Sequence, residues 1–207
     1  MSPKNLNVPN KTRKFLFRKL KDKKTFQIYN KFEKNLNLNE DLIVAVSGGP
    51  DSLALSYLSK IYSINKEINV KYFIVDHKLR KNSSKEASFV KKHLKKLGID
   101  LIILRWIGDK PKSNVQSVAR NKRYELLSNQ AKKFNISNIL LGHHKDDLLE
   151  NFFIRILRGS GLNGMVSFDE RTELKKVKLI RPLLEFTKKD LIYITKKVFE
   201  TYVEDQS

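Results

Sequence analysis

Residues Leu42–Ser52, which read LIVAVSGGPDS, decide the fold of this chain. Leu42–Val46 is an apolar run with the length of a buried strand, and the glycine-rich turn Ser47–Asp51 follows it directly. From Ser52 to Tyr62 the apolar residues recur with helical periodicity. Glycines let backbone N–H groups approach an anion, and a helix N-terminus adds partial positive charge. The stretch therefore predicts a strand, an anion-binding turn and a helix.

The same alternation of strand and helix continues along the chain. Further strands are predicted at Val70–Val75, Leu101–Trp106, Asn138–Leu141 and Val177–Ile180, and further helices at Ser83–Leu97, Asn114–Phe134, Asp146–Leu157 and Thr187–Phe199. Several strands are apolar on both faces, which predicts an α/β fold with a parallel five-stranded sheet and helices on both faces. Ligands of such sheets bind beyond the carboxyl ends of the strands. The polar segments there are Ser47–Asp51, Asp76–Arg80 and Gly142–Asp147.

The composition favours an anionic partner and excludes thiol chemistry. The 207 residues include 42 Lys or Arg against 22 Asp or Glu, a formal net charge of +20. This excess predicts affinity for nucleic acid, because phosphate neutralisation drives that binding. A lysine-rich bias with a merely solvated surface is the alternative. The chain has no cysteine, which excludes disulfides, thiolate zinc sites, iron–sulfur ligation and a cysteine nucleophile.

Nothing in the chain resembles a secretory signal or a membrane span. The first ten residues are polar, and no run approaches 18 apolar residues. We therefore expect a cytoplasmic protein without a membrane partner.

Residues 1–40 differ from the rest, and we expect them to be a basic N-terminal extension of a domain at residues 41–207. They contain eleven lysines or arginines, three acidic residues and no glycine. Their apolar residues recur at roughly helical spacing, which predicts two short amphipathic helices or one broken helix. A disordered basic arm is the alternative.

The turn at Ser47–Ser52 has the side chains that a triphosphate site needs. Ser47 and Ser52 can donate to phosphate oxygens, and Asp51 can hold a divalent cation that bridges the phosphates. The turn is not a Walker A loop, since it lacks the Gly-Lys-Ser/Thr ending. A plain turn with Asp51 as a helix cap is the alternative.

Five motifs in register carry a resemblance to a known family. Ser47–Ser52 resembles the PP-loop of the N-type ATP pyrophosphatases, which split ATP into AMP and pyrophosphate while they adenylate a substrate. The order and spacing of the later motifs are similar to those of the tRNA(Ile)-lysidine synthase family over about residues 41–207. These motifs are Ile74–Arg80, Val118–Tyr124, Leu141–Asn151, Arg158–Met165 and Ile180–Leu184.

The resemblance implies a PP-loop ATPase fold, which is Rossmann-like, and a specific reaction. The family adenylates C2 of the first anticodon cytidine of an isoleucine tRNA with a CAU anticodon, and free lysine then displaces AMP. ATP and Mg²⁺ are the implied cofactors, and that tRNA and lysine the partners. The implied ATP-binding residues are Ser47, Gly48, Gly49, Pro50, Asp51, Ser52, Asp76 and His77. Asp51, Asp147 and Glu150 are the implied catalytic residues, with Asp51 as the metal ligand, and Arg80, Arg120, Arg123, His143 and Arg158 are the implied contacts to substrate or tRNA.

Helical spacing makes the roles of the acids and arginines physically reasonable. Asp147 and Glu150 are three residues apart on a predicted helix and so share one face, where they could bind a lysine ammonium group. An internal ion pair with Arg155 or Arg158 is the alternative. Arg120 and Arg123 have the same spacing and could contact phosphates or the base, or lie on a solvated face.

Two other patterns suggest sites that their context argues against. His143 and His144 with Asp146 and Asp147 suggest a metal centre, but adjacent residues at a strand end point in different directions, so a phosphate contact or helix entry is favoured. Gly159–Gly164 matches G-x-G-x-x-G but follows a predicted helix, so the dinucleotide interpretation fails and a loop near the substrate is favoured.

Two alternative functions stay open, and so does the question of whether the chain is a fragment. The chain could be another cysteine-independent PP-loop ligase, or an RNA-binding remnant without turnover. Relative to the family, the sequence stops at the beginning of a further segment, so we expect either a fragment or a reduced enzyme.

Overall fold

A computed structural model describes residues 9–147, 171–174 and 177–199. The helices are α1 (Asn10–Leu20), α2 (Lys23–Leu36), α3 (Pro50–Asn65), α4 (Ser83–Lys95), α5 (Val115–Phe134) and α6 (Lys188–Phe199). The strands are β1 (Leu42–Val46), β2 (Val70–Asp76), β3 (Leu101–Arg105), β4 (Asn138–Leu140), β5 (Arg171–Leu174) and β6 (Val177–Ile180). The helix predicted at Asp146–Leu157 begins at Lys145, and beyond Asp147 it lies outside the described residues.

The strands form one sheet in the order β3-β2-β1-β4-β6-β5. Neighbouring strands are parallel from β3 to β6, whereas β5 pairs antiparallel with β6. The predicted α/β fold is confirmed, but the described residues contribute six strands to the sheet, where five were predicted. The sequence RTEL of β5 contains no apolar run, and Arg171 and Glu173 are exposed at the edge of the sheet. An edge strand needs no buried face, so hydrophobic patterning did not reveal it.

The strand order reverses direction between β1 and β4, where the chain runs from β1 outward to β3 and then returns on the other side. This switch point leaves a crevice at the carboxyl ends of the two strands, where open α/β sheets bind ligands. The turn Ser47–Asp51 follows β1, and Gly142–Asp147 follows β4. The topology therefore brings two of the predicted polar segments together.

Helices cover both faces of the sheet, as the sequence predicted. Leu42, Val44 and Val46 of β1 pack with α1 to α4 and α6 on one face. Ile43 of the same strand joins a second cluster with α5 on the other face. Because both sets of alternating side chains are buried, β1 reads as an unbroken apolar run.

The helices predicted within residues 1–40 are present as α1 and α2, so the disordered-arm alternative fails for residues 10–36. Leu16, Phe32 and Leu36 are fully buried in the core that α3 also lines. The Tyr57 hydroxyl of α3 donates to the Leu16 carbonyl at 3.1 Å. Asp22 caps α2 by accepting from the Thr25 N–H at 3.0 Å. These two helices pack against the sheet domain and contribute to its core.

Candidate active site

The turn after β1 is held together by the hydroxyl of Ser52. Its Oγ accepts the N–H of Ser47 at 3.1 Å and of Gly48 at 3.0 Å, and donates to the Gly49 carbonyl at 3.0 Å. Gly48 has a φ of 98°, which L side chains rarely adopt, so this position requires glycine. The Ser52 side chain is buried and shapes the loop in this structure. The Ser52 hydroxyl, which the sequence suggested as a donor to phosphate, thus stabilises the turn in this structure.

The first turn of α3 presents unpaired backbone donors to the crevice. Gly49 precedes the helix, Pro50 is its first residue, and the first helical bond runs from the Leu53 N–H to the Gly49 carbonyl at 3.1 Å. The N–H groups of Gly49, Asp51 and Ser52 therefore have no acceptor within the helix. Three such donors at the positive end of a 16-residue helix are an arrangement that suits an anion, and we call it the candidate anion site.

Gly142, just after β4, lies against the start of α3. A Cβ at this position would stand 3.3 Å from both Cα and N of Ser52 and 3.4 Å from the carbonyl carbon of Asp51. The neighbours are backbone atoms, which cannot rotate away. Only glycine lets the segment after β4 approach the anion-binding turn this closely.

Gly142→Ala is therefore expected to displace the first turn of α3. We expect ATP affinity to fall about tenfold, since overpacking costs roughly 1–3 kcal/mol, and the melting temperature to fall with it. Gly49→Ala is the matched control for stability, because its Cβ would stand 3.9 Å from Ser47 Oγ at a permitted φ of −70°. Calorimetry measures the ATP affinity of each variant, and thermal unfolding measures its melting temperature. Equal melting temperatures for the two variants would contradict the prediction.

The Asp51 carboxylate lies between the anion site and a buried histidine. Oδ2 is 3.4 Å from His144 Nε2, whereas Oδ1 is buried without a hydrogen-bond partner. Burial alone would lower the pKa of His144, but the hydrogen bond to Asp51 and the charges of Asp147, Asp51 and Asp146 outweigh it, so the pKa is raised. A protonated His144 would balance the carboxylates around it. The unsatisfied Oδ1 is the atom available to a cation.

Asp147 stabilises the start of its own helix. Its Oδ2 accepts the His144 N–H at 2.8 Å and lies 3.7 Å from His144 Nε2. A carboxylate that reaches back three residues to a backbone N–H is the acidic half of a capping box. The His144 ring thus lies near the carboxylates of both Asp147 and Asp51. Its predicted partner Glu150 lies outside the described residues, as do Arg158 and Gly159–Gly164.

The segment after β2 contributes a structural aspartate and an unsatisfied histidine. Asp76 accepts the Lys78 N–H at 3.0 Å, the Ser83 hydroxyl at 2.8 Å and the Ser84 hydroxyl at 2.5 Å, which fixes the turn into α4. Both His77 ring nitrogens are buried without a partner, beside the ring of Trp106. Burial, more than the nearby charge of Arg123, lowers the pKa of His77 to about 4. A neutral His77 can offer one donor and one acceptor to a ligand.

Basic side chains converge on His143. Arg181, buried at the end of β6, donates from Nε to His143 Nδ1 at 3.2 Å and from Nη1 to Thr172 Oγ1 at 2.8 Å. Burial first, and then the charges of Arg181, Arg120 and Arg123, lower the pKa of His143 to about 4. The two predicted arginines of α5 therefore face the same region as His143. Arg80 instead pairs with Glu86 at 3.2 Å.

The folded protein is expected to lose stability as pH falls from about 6.5 to about 4, partly through His143. The unfolded histidine takes up a proton near its ordinary pKa of 6.5, whereas the folded one stays neutral until about 4. His143→Asn removes this titration and keeps an acceptor for Arg181. We expect its free energy of unfolding in urea to fall less with acidification than that of the wild type. Parallel pH profiles would contradict the prediction.

Sequence reasoning included Gly142, His144 and Arg181 in its motifs but named none of them as a site residue, and the structure gives each a specific contact. Each had a signal, since Gly142 ends a strand, His144 adjoins a predicted histidine, and Arg181 follows an apolar run. The expectation that adjacent histidines point in different directions is confirmed, because His143 contacts Arg181 and His144 contacts Asp51. Within the described ranges, no group of three or more His, Asp or Glu residues could hold a metal ion by itself.

Two features lie apart from this site. A groove of about 510 Å³ runs between α2 and residues 185–190, and none of its lining residues belongs to the arrangement above. No helix in the part of the chain that the structure describes is long and apolar enough to cross a membrane.

Comparison with known proteins places these features in a family. The family described as "PP-loop domain" matches residues 20–207. Curated proteins named tRNA(Ile)-lysidine synthase are similar: the one from Orientia tsutsugamushi (strain Boryong) is 40% identical over 153 residues, 74% of this chain and 34% of the relative. The one from Wolbachia pipientis wMel is 37% identical over 171 residues, 82% of this chain and 40% of the relative. The chain thus spans between a third and a half of the length of these two relatives.

A solved structure shares the fold. The U34-tRNA thiolase NcsA from Methanococcus maripaludis, with its [4Fe-4S] cluster, superimposes with a TM-score of 0.74 at 18% identity, over 89% of this chain and 67% of that one. The likeness concerns the fold alone, and this chain has no cysteine to ligate a cluster. With the glycine turn and the α3 anion site at the switch point and the family match over residues 20–207, the chain belongs to the PP-loop domain family.

Proposed function

We propose that this chain is the ATP-using part of a tRNA-modifying ligase that forms lysidine. It adenylates C2 of the first anticodon cytidine of an isoleucine tRNA with a CAU anticodon, joins free lysine there, and releases AMP and pyrophosphate. The observation that carries the ATP chemistry is the first turn of α3, which has three N–H groups without helical acceptors and contains Asp51, whose Oδ1 is buried without a partner. The choice of substrate rests on the similarity to tRNA(Ile)-lysidine synthases.

The N–H groups of Gly49, Asp51 and Ser52 would bind the phosphates of ATP. Since they are held in place by the Ser52 hydrogen bonds, they need no rearrangement as charge develops on the departing pyrophosphate. His77, whose ring nitrogens are buried and unpaired, would contact the nucleoside. Asp76 acts through the turn that it fixes, as a positioning residue.

The residues present fit Mg²⁺, the cation that accompanies ATP. Mg²⁺ is bound by one or two carboxylates together with substrate phosphates, so a protein cage of three ligands is not needed. Asp51 Oδ1 is the carboxylate oxygen that would hold it. When bound, the ion would neutralise negative charge that develops on the leaving pyrophosphate.

The basic cluster of Arg120, Arg123 and Arg181 around His143 would bind the RNA. Asp147 and Glu150 would bind lysine. Arg120 and Arg123 of α5 and the buried Arg181 concentrate positive charge near the crevice, which suits the phosphates that flank the target base. A carboxylate on the helix after β4 can bind an ammonium group and orient the attacking amine. We expect the enzyme to act in the cytoplasm, where tRNA is found.

The test is lysine incorporation by the 207-residue chain. Labelled lysine, ATP and an unmodified isoleucine-tRNA transcript with a CAU anticodon are incubated with the chain, and lysine in RNA, AMP and pyrophosphate are quantified. We expect the three products in equal amounts. A transcript with a GAU anticodon is the control and should accept none.

Each alternative function predicts a different product pattern. Another PP-loop ligase would release pyrophosphate with tRNA present but incorporate no lysine. An RNA-binding remnant would bind the transcript and release no pyrophosphate. Either pattern would overturn the proposal.

A further inference from the structure

Within the part of the chain that the structure describes, the lysines and arginines of α1 and of the end of α4 have no acidic partners. Some other lysines do form ion pairs, as in Lys24–Asp190, Lys31–Glu185 and Lys197–Asp22. By contrast, α1 contains no acidic residue, and neither does the stretch Lys91–Ile99. Among the described residues, no lysine or arginine of either segment forms an ion pair.

The two segments adjoin in space. Gly98, just beyond the end of α4, lies so close to Thr12 of α1 that a Cβ on the glycine would be 3.1 Å from Thr12 Cγ2. Lys11 and Arg13 flank Thr12, while Lys95 and Lys96 precede Gly98 in the chain. We call the exposed cations of these two adjoining segments the α1/α4 surface: Lys11, Arg13, Lys14 and Arg18 of α1, and the lysines of Lys91–Lys96.

Aromatic rings lie among these charges. Arg18 and Lys19 lie over the Phe15 ring at 5.6 and 5.3 Å, and Arg13 lies over the Phe17 ring at 5.9 Å. On α4 the Phe89 ring, which is 42% exposed, stacks on His93 with a centroid distance of 4.0 Å. Cation–π contacts of this kind hold the arginine and lysine side chains close to the protein surface.

The surface lies far from the anion site. α4 begins where Ser83 and Ser84 hold Asp76 at the carboxyl end of β2. Its 13 residues then carry the chain about 20 Å away, at 1.5 Å per residue. A strand of duplex DNA rises about 3.4 Å per phosphate and a strand of an A-form RNA stem rises less, so this distance corresponds to roughly six or more base pairs of RNA. A target base in the crevice and the α1/α4 surface can be reached together only by an extended RNA.

We propose that the α1/α4 surface binds the phosphate backbone of an RNA stem whose unpaired loop enters the crevice. This inference rests on the proposed function for the identity of the RNA, but the contact itself is electrostatic and independent of sequence. Its chemistry predicts a contribution to affinity and to salt dependence, with no contribution to the reaction at the crevice.

The test uses pairs of charge-removing substitutions in the 207-residue chain. Lys92→Gln with Lys95→Gln removes two exposed lysines from the last turn of α4, and Lys14→Gln with Arg18→Gln removes two charges from α1. Lys132→Gln with Lys133→Gln is the matched control, because these lysines are also exposed in the last turn of a helix, but on α5, which packs on the opposite face of the sheet. The control thus removes the same charge and the same helix-terminal interaction.

Binding of a fluorescent isoleucine-tRNA transcript is measured from about 50 to 300 mM salt, the range over which phosphate contacts lose most affinity. Each α1 or α4 pair is expected to lower the slope of log K against log[salt] by about 1 to 2, and affinity at moderate salt by about tenfold. The control pair should leave the salt slope and the affinity close to those of the wild type. Pyrophosphate release at saturating tRNA should be unchanged in all variants. Thermal unfolding verifies folding, and the α4 pair, which makes no contact with the core, keeps the test valid if the α1 pair unfolds.

Equal slopes for the surface pairs and the control pair would overturn the inference. Unchanged RNA binding together with lost binding to anionic phosphatidylserine vesicles would also overturn it, and would assign the surface to a membrane. The outcome is separable from the proposed function. If the surface pairs reduce the salt slope but the chain incorporates no lysine, the RNA-binding surface is supported and lysidine formation is rejected. If the surface pairs leave the slope unchanged and the chain incorporates lysine, lysidine formation is supported and the RNA-binding surface is rejected.

Discussion

Asp51→Asn is expected to lower ATP-dependent pyrophosphate release by about 100-fold or more, the effect of losing one group that stabilises transition-state charge. The amide keeps the size of the side chain and can still accept from His144, but it lacks the negative charge that a cation at Oδ1 requires. We therefore expect the fold to persist and the Mg²⁺ dependence of ATP binding to disappear. Pyrophosphate assays and calorimetry with and without Mg²⁺ measure the two effects.

Asp146→Asn provides the matched control. Its carboxylate also lies near His144, with 3.8 Å between Oδ2 and Nδ1, but it is half-exposed and accepts the Lys188 N–H at 3.0 Å. We expect a small change in turnover, because this carboxylate is already bound by the Lys188 N–H and is partly solvated. Similar losses in both variants would show that the total charge around His144, and not the cation at Asp51, supports the reaction. ADP and orthophosphate as products would reject the PP-loop assignment altogether.

The sequence predicted the anion-binding turn because its determinants are local. A strand, two glycines and a helix start within eleven residues, Leu42–Ser52, fix the backbone donors without any distant contact. Local signals also located nearly all the other elements to within a few residues. The amphipathic spacing in residues 1–40 indicated helices but left a disordered arm as an alternative, and the structure adds that Leu16 and Phe32 are buried in the core of the sheet domain.

Residues that depend on tertiary contacts were not predictable in the same way. Gly142 is required by the approach of α3, which is distant in sequence, and His144 gains its role only because the switch point brings it to Asp51. Arg181 is buried against His143, although a charged residue after a strand usually suggests an exposed position. The additional strand β5, in which Arg171 and Glu173 are exposed, has no apolar run in its sequence and so left no hydrophobic pattern.

Substitutions at Asp147 separate two roles that the structure and the proposed function assign to one carboxylate. Asp147 accepts the His144 N–H at 2.8 Å, so it caps its helix before any substrate binds. An asparagine can accept the same bond through its amide oxygen, whereas an alanine cannot. Asp147→Ala should therefore destabilise the fold by about 1 kcal/mol, the usual cost of losing a cap, and Asp147→Asn much less.

The charge of Asp147 is what lysine binding requires, and Asp147→Asn removes it. Truncating one partner of a desolvated charge pair costs about 2–5 kcal/mol, so the KM for lysine should rise by roughly 30-fold or more. ATP affinity should change far less, because the α3 N-terminus and Asp51 remain. Glu150→Gln is expected to behave in the same way if the two acids share one face of the helix. Lysine titrations of tRNA-dependent AMP release, with urea unfolding of the same variants, measure both roles. If Asp147→Asn keeps the wild-type KM for lysine while Asp147→Ala loses stability, the carboxylate is a helix cap alone, and the ammonium group of lysine must be bound elsewhere.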